Sequence, residues 1–327
     1  MKKPLKIAGI VVGGLFLVIF ILVAYLNFFF PKVSPAPKLT INATPEMVER
    51  GKYLANHVSV CMDCHSERDW TKFSGPVKLG TLGKGGEKFD KDGAGVPGEF
   101  YSRNITPTNL KNWSDGDIYK TITTGVRKNG EPIFPLMPYL SYGSMDSEDV
   151  KSIIAYLRTL TPLEGSYPDA HLNFPMNLIV RTIPKDPTPS VRPDSKDTLK
   201  YGEYLVKIAA CADCHTKMEK GQPLPGMRLA GGFEFKFPNG NVVRSANLTP
   251  SQETGIGLWT EEVFLGKFKI YRDSAARNKS VTPDEFNSVM PWTMFTGMTD
   301  GDLKSIYRYL TTVDPVEHKV EKFTAHK

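Results

Sequence analysis

All four cysteines of this 327-residue chain fall in two pentapeptides, Cys61-Met62-Asp63-Cys64-His65 and Cys211-Ala212-Asp213-Cys214-His215. On a helix, positions i, i+3 and i+4 share one face. Two thiols and an imidazole therefore converge on a common object, and they do so twice. This is the attachment pattern of c-type haem, in which the thiols bond the vinyl groups and the histidine binds iron from the proximal side. Redox CxxC sites or zinc half-sites fit less well, because a structural zinc site normally gathers all four cysteines. Two covalently bound haem c groups, each with its iron, are expected at Cys61, Cys64 and His65 and at Cys211, Cys214 and His215.

The motifs sit inside a longer repeat. Upstream, Gly51-Lys52-Tyr53-Leu54 matches Gly202-Glu203-Tyr204-Leu205. Downstream, Gly85-Gly86 with Phe89 matches Gly231-Gly232 with Phe235. Asn104-Ile105-Thr106-Pro107 matches Asn247-Leu248-Thr249-Pro250, and Trp113-Ser114 matches Trp259-Thr260. Residues 137–162 then align on 290–315 without a gap. Thr44-Pro45-Glu46 reads as an N-cap followed by proline at the first helical position. Each copy closes with an amphipathic helix: Val150, Ile153, Ile154, Leu157 and Leu160 in one, Leu303, Ile306, Tyr307, Leu310 and Val313 in the other. These are two copies of one mainly α domain, spanning 46–162 and 198–316. Between them, 163–197 holds six prolines and one apolar patch, Phe174 to Ile183, and reads as a linker packed along the domains. Residues 317–327 are a C-terminal tail.

A second axial ligand decides whether such an iron carries electrons or reacts with small molecules. Met137 and Met290 are the candidates. Each is followed by proline, which fixes a turn, and each precedes the closing helix, so its loop can fold back over the distal face. A thioether favours reduced iron and raises the potential. Met145 and Met298 also repeat, but they precede the expected N-caps Asp146 and Thr299 and face Val150 and Leu303, the arrangement of a hydrophobic staple. They are assigned to packing, and Met294 is the rival ligand in the second copy. His57, His171, His318 and His326 do not align between copies and are read as surface or loop residues. Carbonyls near Gly75-Pro76 and Pro225 are candidate acceptors for the proximal imidazole N–H. Asn104, Asn247, Trp113 and Trp259 are candidates to bond haem propionates or wall the pocket, with aromatic packing an equal account of the tryptophans.

The N-terminus runs from Ile7 to Leu26 without a charge, about 30 Å as a helix, the thickness of a bilayer's hydrocarbon core. Lys2, Lys3 and Lys6 precede it, which orients the N-terminus to the cytoplasm and the rest outside. The run is longer than a signal-peptide core and closes on Ala24-Tyr25-Leu26-Asn27-Phe28, bulky where a signal peptidase needs small residues, so an uncleaved anchor over 1–30 is expected. Residues 31–45, rich in proline, form an extended spacer. The same lysines account for part of the formal charge of +6, from 41 basic and 35 acidic residues. Ionised propionates on two haems take the outer region close to neutral or slightly negative, so the basic balance is no sign of a nucleic-acid partner.

Taken together, the chain resembles a tandem of class I cytochrome c domains. Asn247-Leu248-Thr249-Pro250, Thr254-Gly255-Ile256-Gly257-Leu258-Trp259 and Met290-Pro291-Trp292 are similar to segments of the cytochrome c subunits of membrane-bound alcohol and gluconate dehydrogenases. The resemblance implies haem c at both motifs, His65 and His215 as proximal ligands and Met137 and Met290 as distal ones. Those subunits typically carry three haem domains; here there are two, with an N-terminal spanning helix. The first copy lacks the Gly-Ile-Gly before Trp113, and the second is longer between Trp259 and Met290, with an extra stretch near Asp273 to Thr282 read as a partner-facing loop.

The expected protein is a single-pass dihaem cytochrome of the cytoplasmic (inner) membrane, with its haem domains facing the periplasm or extracytoplasmic space. It carries electrons between a dehydrogenase or quinol-oxidising complex and a terminal acceptor, and performs no bond chemistry itself. Its partners are membrane lipid, through the N-terminal helix, and redox proteins: a dehydrogenase subunit, an oxidase or a soluble cytochrome. The alternatives are a dihaem peroxidase, which needs an iron with a displaceable sixth ligand, and a dihaem thiosulfate dehydrogenase, which resembles this layout but is expected to use a cysteine as a distal ligand. No cysteine is free for that role.

Overall fold

A computed structural model describes residues 2–326. Met1 and Lys327, at the outer ends of the first and last expected segments, lie outside the described residues, as do the side chains of Lys2 and Lys3. The chain begins with one long helix, Lys2–Phe29. Its stretch Lys6–Phe29 is long and apolar enough to cross a membrane, and residues 6–22 are exposed throughout.

The body that follows is built twice on one plan. The opening helices are Pro45–Tyr53 and Thr198–Ile208. Thr44 caps the first, its hydroxyl accepting the Met47 N–H, with Pro45 at the first position as expected. The closing helices are Ser147–Thr159 and Asp300–Leu310, capped by the side chains of Asp146 and Thr299. Opening and closing helices cross at a glycine in each half. A Cβ on Gly51 would stand 1.8 Å from the Ser152 carbonyl oxygen, and one on Gly202 1.9 Å from that of Ser305. Only glycine permits backbones this close. Val150, Ile153, Ile154, Leu157 and Leu160 are all buried, as are Leu303, Ile306 and Leu310; Tyr307 and Val313 are half-buried. Met145 and Met298 are buried in the same core, in keeping with a packing role.

Each half also carries a small antiparallel sheet. In the first, Lys88–Asp90 pairs with Gly98–Tyr101, Phe89 opposite Phe100, and His171–Leu172 adds a third strand. In the second, Glu234–Lys236 pairs with Val242–Arg244, Phe235 opposite Val243, and Phe323–Thr324 adds the third. The stretch after each closing helix thus returns to its own half. Much of 163–197 is tied down in this way: Thr188 and Ser190 donate N–H bonds to the carbonyls of Gly143 and Ser144. Arg192 bonds Asp149 at 2.6 Å.

The halves meet through a reciprocal pair of contacts. Tyr53 of the first donates its hydroxyl to Asp302 of the second at 2.6 Å and accepts the Thr299 N–H at 3.1 Å. Tyr204 of the second donates to Asp149 of the first at 2.7 Å and accepts the Asp146 N–H at 3.2 Å. Each tyrosine thus caps the closing helix of the other half, and one apolar core runs through both.

Candidate haem-binding sites

Each cysteine motif forms a single helical turn, Cys61–Cys64 and Cys211–Cys214. The residue that enters it is left-handed in both, Val60 at φ 42° and Ala210 at φ 53°. Non-glycine residues rarely adopt that region, and its repetition marks a built turn. His65 and His215 close the turns, their N–H groups bonding the Cys61 and Cys211 carbonyls. All four cysteines are free thiols, Cys61 and Cys211 half-buried, Cys64 and Cys214 with open surface. The protein massed around the four sulfurs nonetheless pushes the thiols up to about 12, so they stand uncharged at neutral pH.

The two imidazoles are held alike. His65 Nδ1 lies 2.7 Å from the Arg103 carbonyl oxygen and His215 Nδ1 2.8 Å from that of Ala246. Nδ1 is the donor, which leaves Nε2 with its lone pair free for a ligand bond. Burial holds both rings below the ordinary histidine value, so they are neutral. The expected acceptors near Gly75-Pro76 and Pro225 are therefore corrected. The Pro76 carbonyl accepts the Asp69 N–H and that of Gly75 accepts from Arg68. The physical reason is the returning strand. Gly85 and Gly231 bond the His65 and His215 carbonyls, and this draws the chain past each ring at Arg103 and Ala246. The repeat held the signal, since both acceptors directly precede the asparagine of the Asn-x-Thr-Pro block.

Those asparagines carry structural bonds of their own. Asn104 Oδ1 accepts the backbone and hydroxyl hydrogens of Thr106 at 2.8 and 2.7 Å, and its amide donates to the Leu163 carbonyl. Asn247 does the same with Thr249 and with the Val316 carbonyl. They clamp the chain leaving each closing helix; Asn247 also donates to the Thr254 hydroxyl, whereas Asn104 keeps a second amide N–H. Trp113 and Trp259 are half-buried against the core.

Met137 and Met290 are half-buried at the edge of the core. Their turns match: Pro138 and Pro291 share backbone angles (φ −79°, ψ 52° and φ −78°, ψ 63°), and Tyr139 and Trp292 bond back to the Met carbonyls at 2.8 Å. Met294 is buried in the core, its carbonyl 2.9 Å from His57 Nδ1. His318 is likewise engaged, its Nδ1 2.9 Å from the Ala230 carbonyl, so these two histidines tie loops together. His171 is exposed on its strand, and the His326 ring lies against Gly240.

One contact has no sequence signal. Ser74, fully buried at φ 64°, donates its hydroxyl to the Met290 carbonyl at 2.6 Å and accepts the Trp292 N–H at 3.1 Å. Its own N–H bonds Asn287. Arg68 shapes this loop: it donates to the carbonyls of Gly75 and Ser74, lies 4.1 Å from the Trp70 ring centre and pairs with Asp63 at 2.9 Å. Burial, opposed by Arg68, pushes the Asp63 carboxyl up to about 6. The loop near 273–282 keeps most of its residues exposed while one edge of it pairs with the first half. Phe73 N–H bonds the Lys279 carbonyl at 2.8 Å and Val281 N–H that of Thr71 at 2.9 Å, while Phe73 stacks on Tyr271 and Tyr271 on Trp292.

The residues present fit haem c. Each half offers two uncharged thiols, a neutral imidazole with a free Nε2 and a thioether. Among the described residues, the buried side-chain polar atoms without a partner are Asp63 Oδ1, Tyr139 Oη and Thr293 Oγ1. One lies in a cysteine turn and the others just after the Met-Pro turns. Burial raises the Tyr139 hydroxyl well above its ordinary value and keeps it a donor. The two turns are neighbours across the contact between halves. Ser59 donates to the Ile208 carbonyl at 3.1 Å, Tyr142 to the Ser59 carbonyl at 2.8 Å and Ser141 to Asp213 at 3.1 Å.

No family model matches the chain. It is 26% identical over 299 residues to the gluconate 2-dehydrogenase cytochrome c subunit of Pantoea cypripedii, covering 86% of this chain and 63% of that one. It is 26% identical over 297 residues to the fructose dehydrogenase cytochrome subunit of Gluconobacter japonicus, 86% of this chain and 56% of that one. A diheme cytochrome c-type protein of Cereibacter sphaeroides is 28% identical over 242 residues, 69% of this chain and 77% of its own. The chain spans about six-tenths of the length of the dehydrogenase subunits it matches. Over most of its length, then, this chain is similar to cytochrome c subunits of dehydrogenases and to a diheme cytochrome c.

Proposed function

We propose that the chain is a membrane-anchored dihaem c-type cytochrome that passes electrons outside the cytoplasmic membrane, between a dehydrogenase or quinol-oxidising complex and a terminal acceptor. The observation that carries this reading is the duplicated set of a Cys-x-x-Cys turn, an Nδ1-bonded neutral histidine and a Met-Pro turn. When bound, haem c supplies a one-electron iron couple. Cys61, Cys64, Cys211 and Cys214 would hold it by thioether bonds. His65 and His215 would offer Nε2 to the iron, the Arg103 and Ala246 carbonyls fixing the tautomer. Met137 and Met290 would supply thioether sulfur as the second protein ligand, and an iron so held would have no place for a substrate. This favours the carrier over a peroxidase, and the absence of a fifth cysteine favours it over a thiosulfate dehydrogenase.

The helix Lys6–Phe29, flanked by Lys2, Lys3 and Lys6, anchors the chain with its two halves outside. Anchoring raises the carrier's effective concentration near membrane partners. The similarity to dehydrogenase cytochrome subunits supports a redox protein as donor; nucleic acid has no part in this reading.

A pyridine haemochrome assay tests the core of the proposal. Two haems per chain are expected, and one or none overturns it. Replacing Met137 or Met290 by alanine is expected to remove about half of the sulfur-to-iron absorption and to lower the potential of that half alone. Unchanged absorption in either variant reassigns that ligand.

A further inference from the structure

We propose that the segment from Phe174 to Ile183 is a second membrane contact, an interfacial foot at the headgroup level of the bilayer that the N-terminal helix spans. The inference rests on the reading of that helix as an anchor. The foot is a short helix, Met176–Ile179, followed by the turn Val180–Thr182. Both pack directly against the end of the long helix. Arg181 donates to the Phe30 carbonyl at 3.2 Å, one residue past the helix end. Just beyond, Asp186 accepts the Ser34 N–H at 2.7 Å and the Ser34 hydroxyl at 2.9 Å. These bonds lock the foot to the chain where it leaves the span, and therefore to the depth of the lipid–water boundary.

The composition of the foot suits that depth. Val180 is 3% exposed and roots the turn in the protein, while Phe174 is 77% exposed and Ile179 44%. Pro175 is also open and Leu178 half-buried. Tyr25, Phe28 and Phe29 are exposed at the adjoining end of the long helix, so the foot continues an aromatic girdle. Aromatic side chains favour this boundary. Exposed Lys32 and Lys185 flank the patch with charges that attract anionic headgroups. An amphipathic segment of this kind buries its apolar face about 5–10 Å into the boundary. Leu79, fully exposed in a turn, is an isolated apolar side chain and an ordinary surface residue.

The test uses the full chain in nanodiscs of phosphatidylcholine and phosphatidylglycerol. They are doped with a lipid carrying a photoactivatable diazirine near the carbonyl end of its acyl chain, and crosslinked peptides are mapped by mass spectrometry. The peptide containing Phe174 and Ile179 is expected to label together with the one containing Tyr25 to Phe30, several-fold more than the peptide containing Leu79. The double substitution F174E/I179E, at two exposed positions, is expected to abolish most labelling of the foot while the long helix stays labelled. A foot labelled no more than the Leu79 peptide, beside a labelled long helix, overturns the foot and leaves the anchor standing. An unlabelled long helix overturns the anchor, and the foot with it.

Discussion

Met137 and Met290 occupy the same turn in the two halves, but the turns are held differently. At Met137, the Phe134 and Tyr139 backbone bonds belong to its own loop. At Met290, the Ser74 hydroxyl reaches in from the other half and bonds the carbonyl of Met290 and the N–H of Trp292 at once. Asn287 and backbone bonds from 279–281 secure the loop that brings Ser74 there. Duplication therefore produced two similar frames, and contacts between the frames made their distal loops unequal. The second loop is therefore held in part by the first half.

The largest expected effect comes from the least symmetrical member of the reciprocal tyrosine contacts. Asp149 holds Arg50, Arg192 and Tyr204, whereas its counterpart Asp302 holds Tyr53. Asp149→Ala strips a buried pair and is expected to cost about 3–5 kcal/mol, with Asp302→Ala costing less. Burial alone would raise the Asp149 carboxyl, but Arg50, Tyr204 and Arg192 outweigh it and hold the group below its ordinary range. A depressed folded-state pKa adds stability that is fully present above the unfolded value of about 3.9 and is lost as pH falls through the folded one. Urea melts should therefore show the gap between wild type and Asp149→Ala narrowing below about pH 4. A gap that is constant with pH, or an equal loss for Asp302→Ala, would break the asymmetry.

Where the halves are equal, substitutions should act equally. Gly51→Ala and Gly202→Ala each drive a methyl into a serine carbonyl. Each is expected to cost about 1–3 kcal/mol, or more if the helices cannot separate. Thermal melts differing widely between the two would show that one crossing carries more of the fold.

The smallest effect addresses the clamp. Ser74→Ala removes one hydroxyl with two bonds and should loosen the Met290 turn by about 1–2 kcal/mol. Ser74→Gly separates hydroxyl from backbone, because glycine adopts φ near 64° without strain. In a Met137→Ala background, where only the second half contributes, both variants should lose the sulfur-to-iron absorption at a lower temperature than the parent. A Ser74→Ala protein that matches the parent would show that the hydroxyl does not hold the turn, and a Ser74→Gly protein that matches it would show relief of backbone strain offsetting the lost bonds.

The legible parts of the fold were local. Thr44 with Pro45, the caps at Asp146 and Thr299, and the buried stripe from Val150 to Leu160 follow from neighbours a few positions apart. The glycines at the helix crossings stood in the repeat, though their purpose did not. Asn104 and Asn247 repeat conspicuously, and the bonds they make run to the threonines two residues on and to the chain beyond the closing helix. A repeated residue signals a shared task without saying which one.

By itself the sequence determined the number of cysteine motifs, the face on which two thiols and an imidazole meet, the helices that open and close each half, and one apolar run long enough to span a bilayer. All of these rest on spacings within a helical turn or on unbroken apolar stretches. Tertiary structure alone decided which carbonyl takes each imidazole proton, 38 and 31 positions away from His65 and His215. It also joined Ser74 to Met290 across 216 positions, paired one edge of the extra loop with the first half and set an apolar patch beside the end of the long helix. Pairings at that range leave no periodic trace in a chain, because they depend on where two separately specified pieces of backbone come to rest.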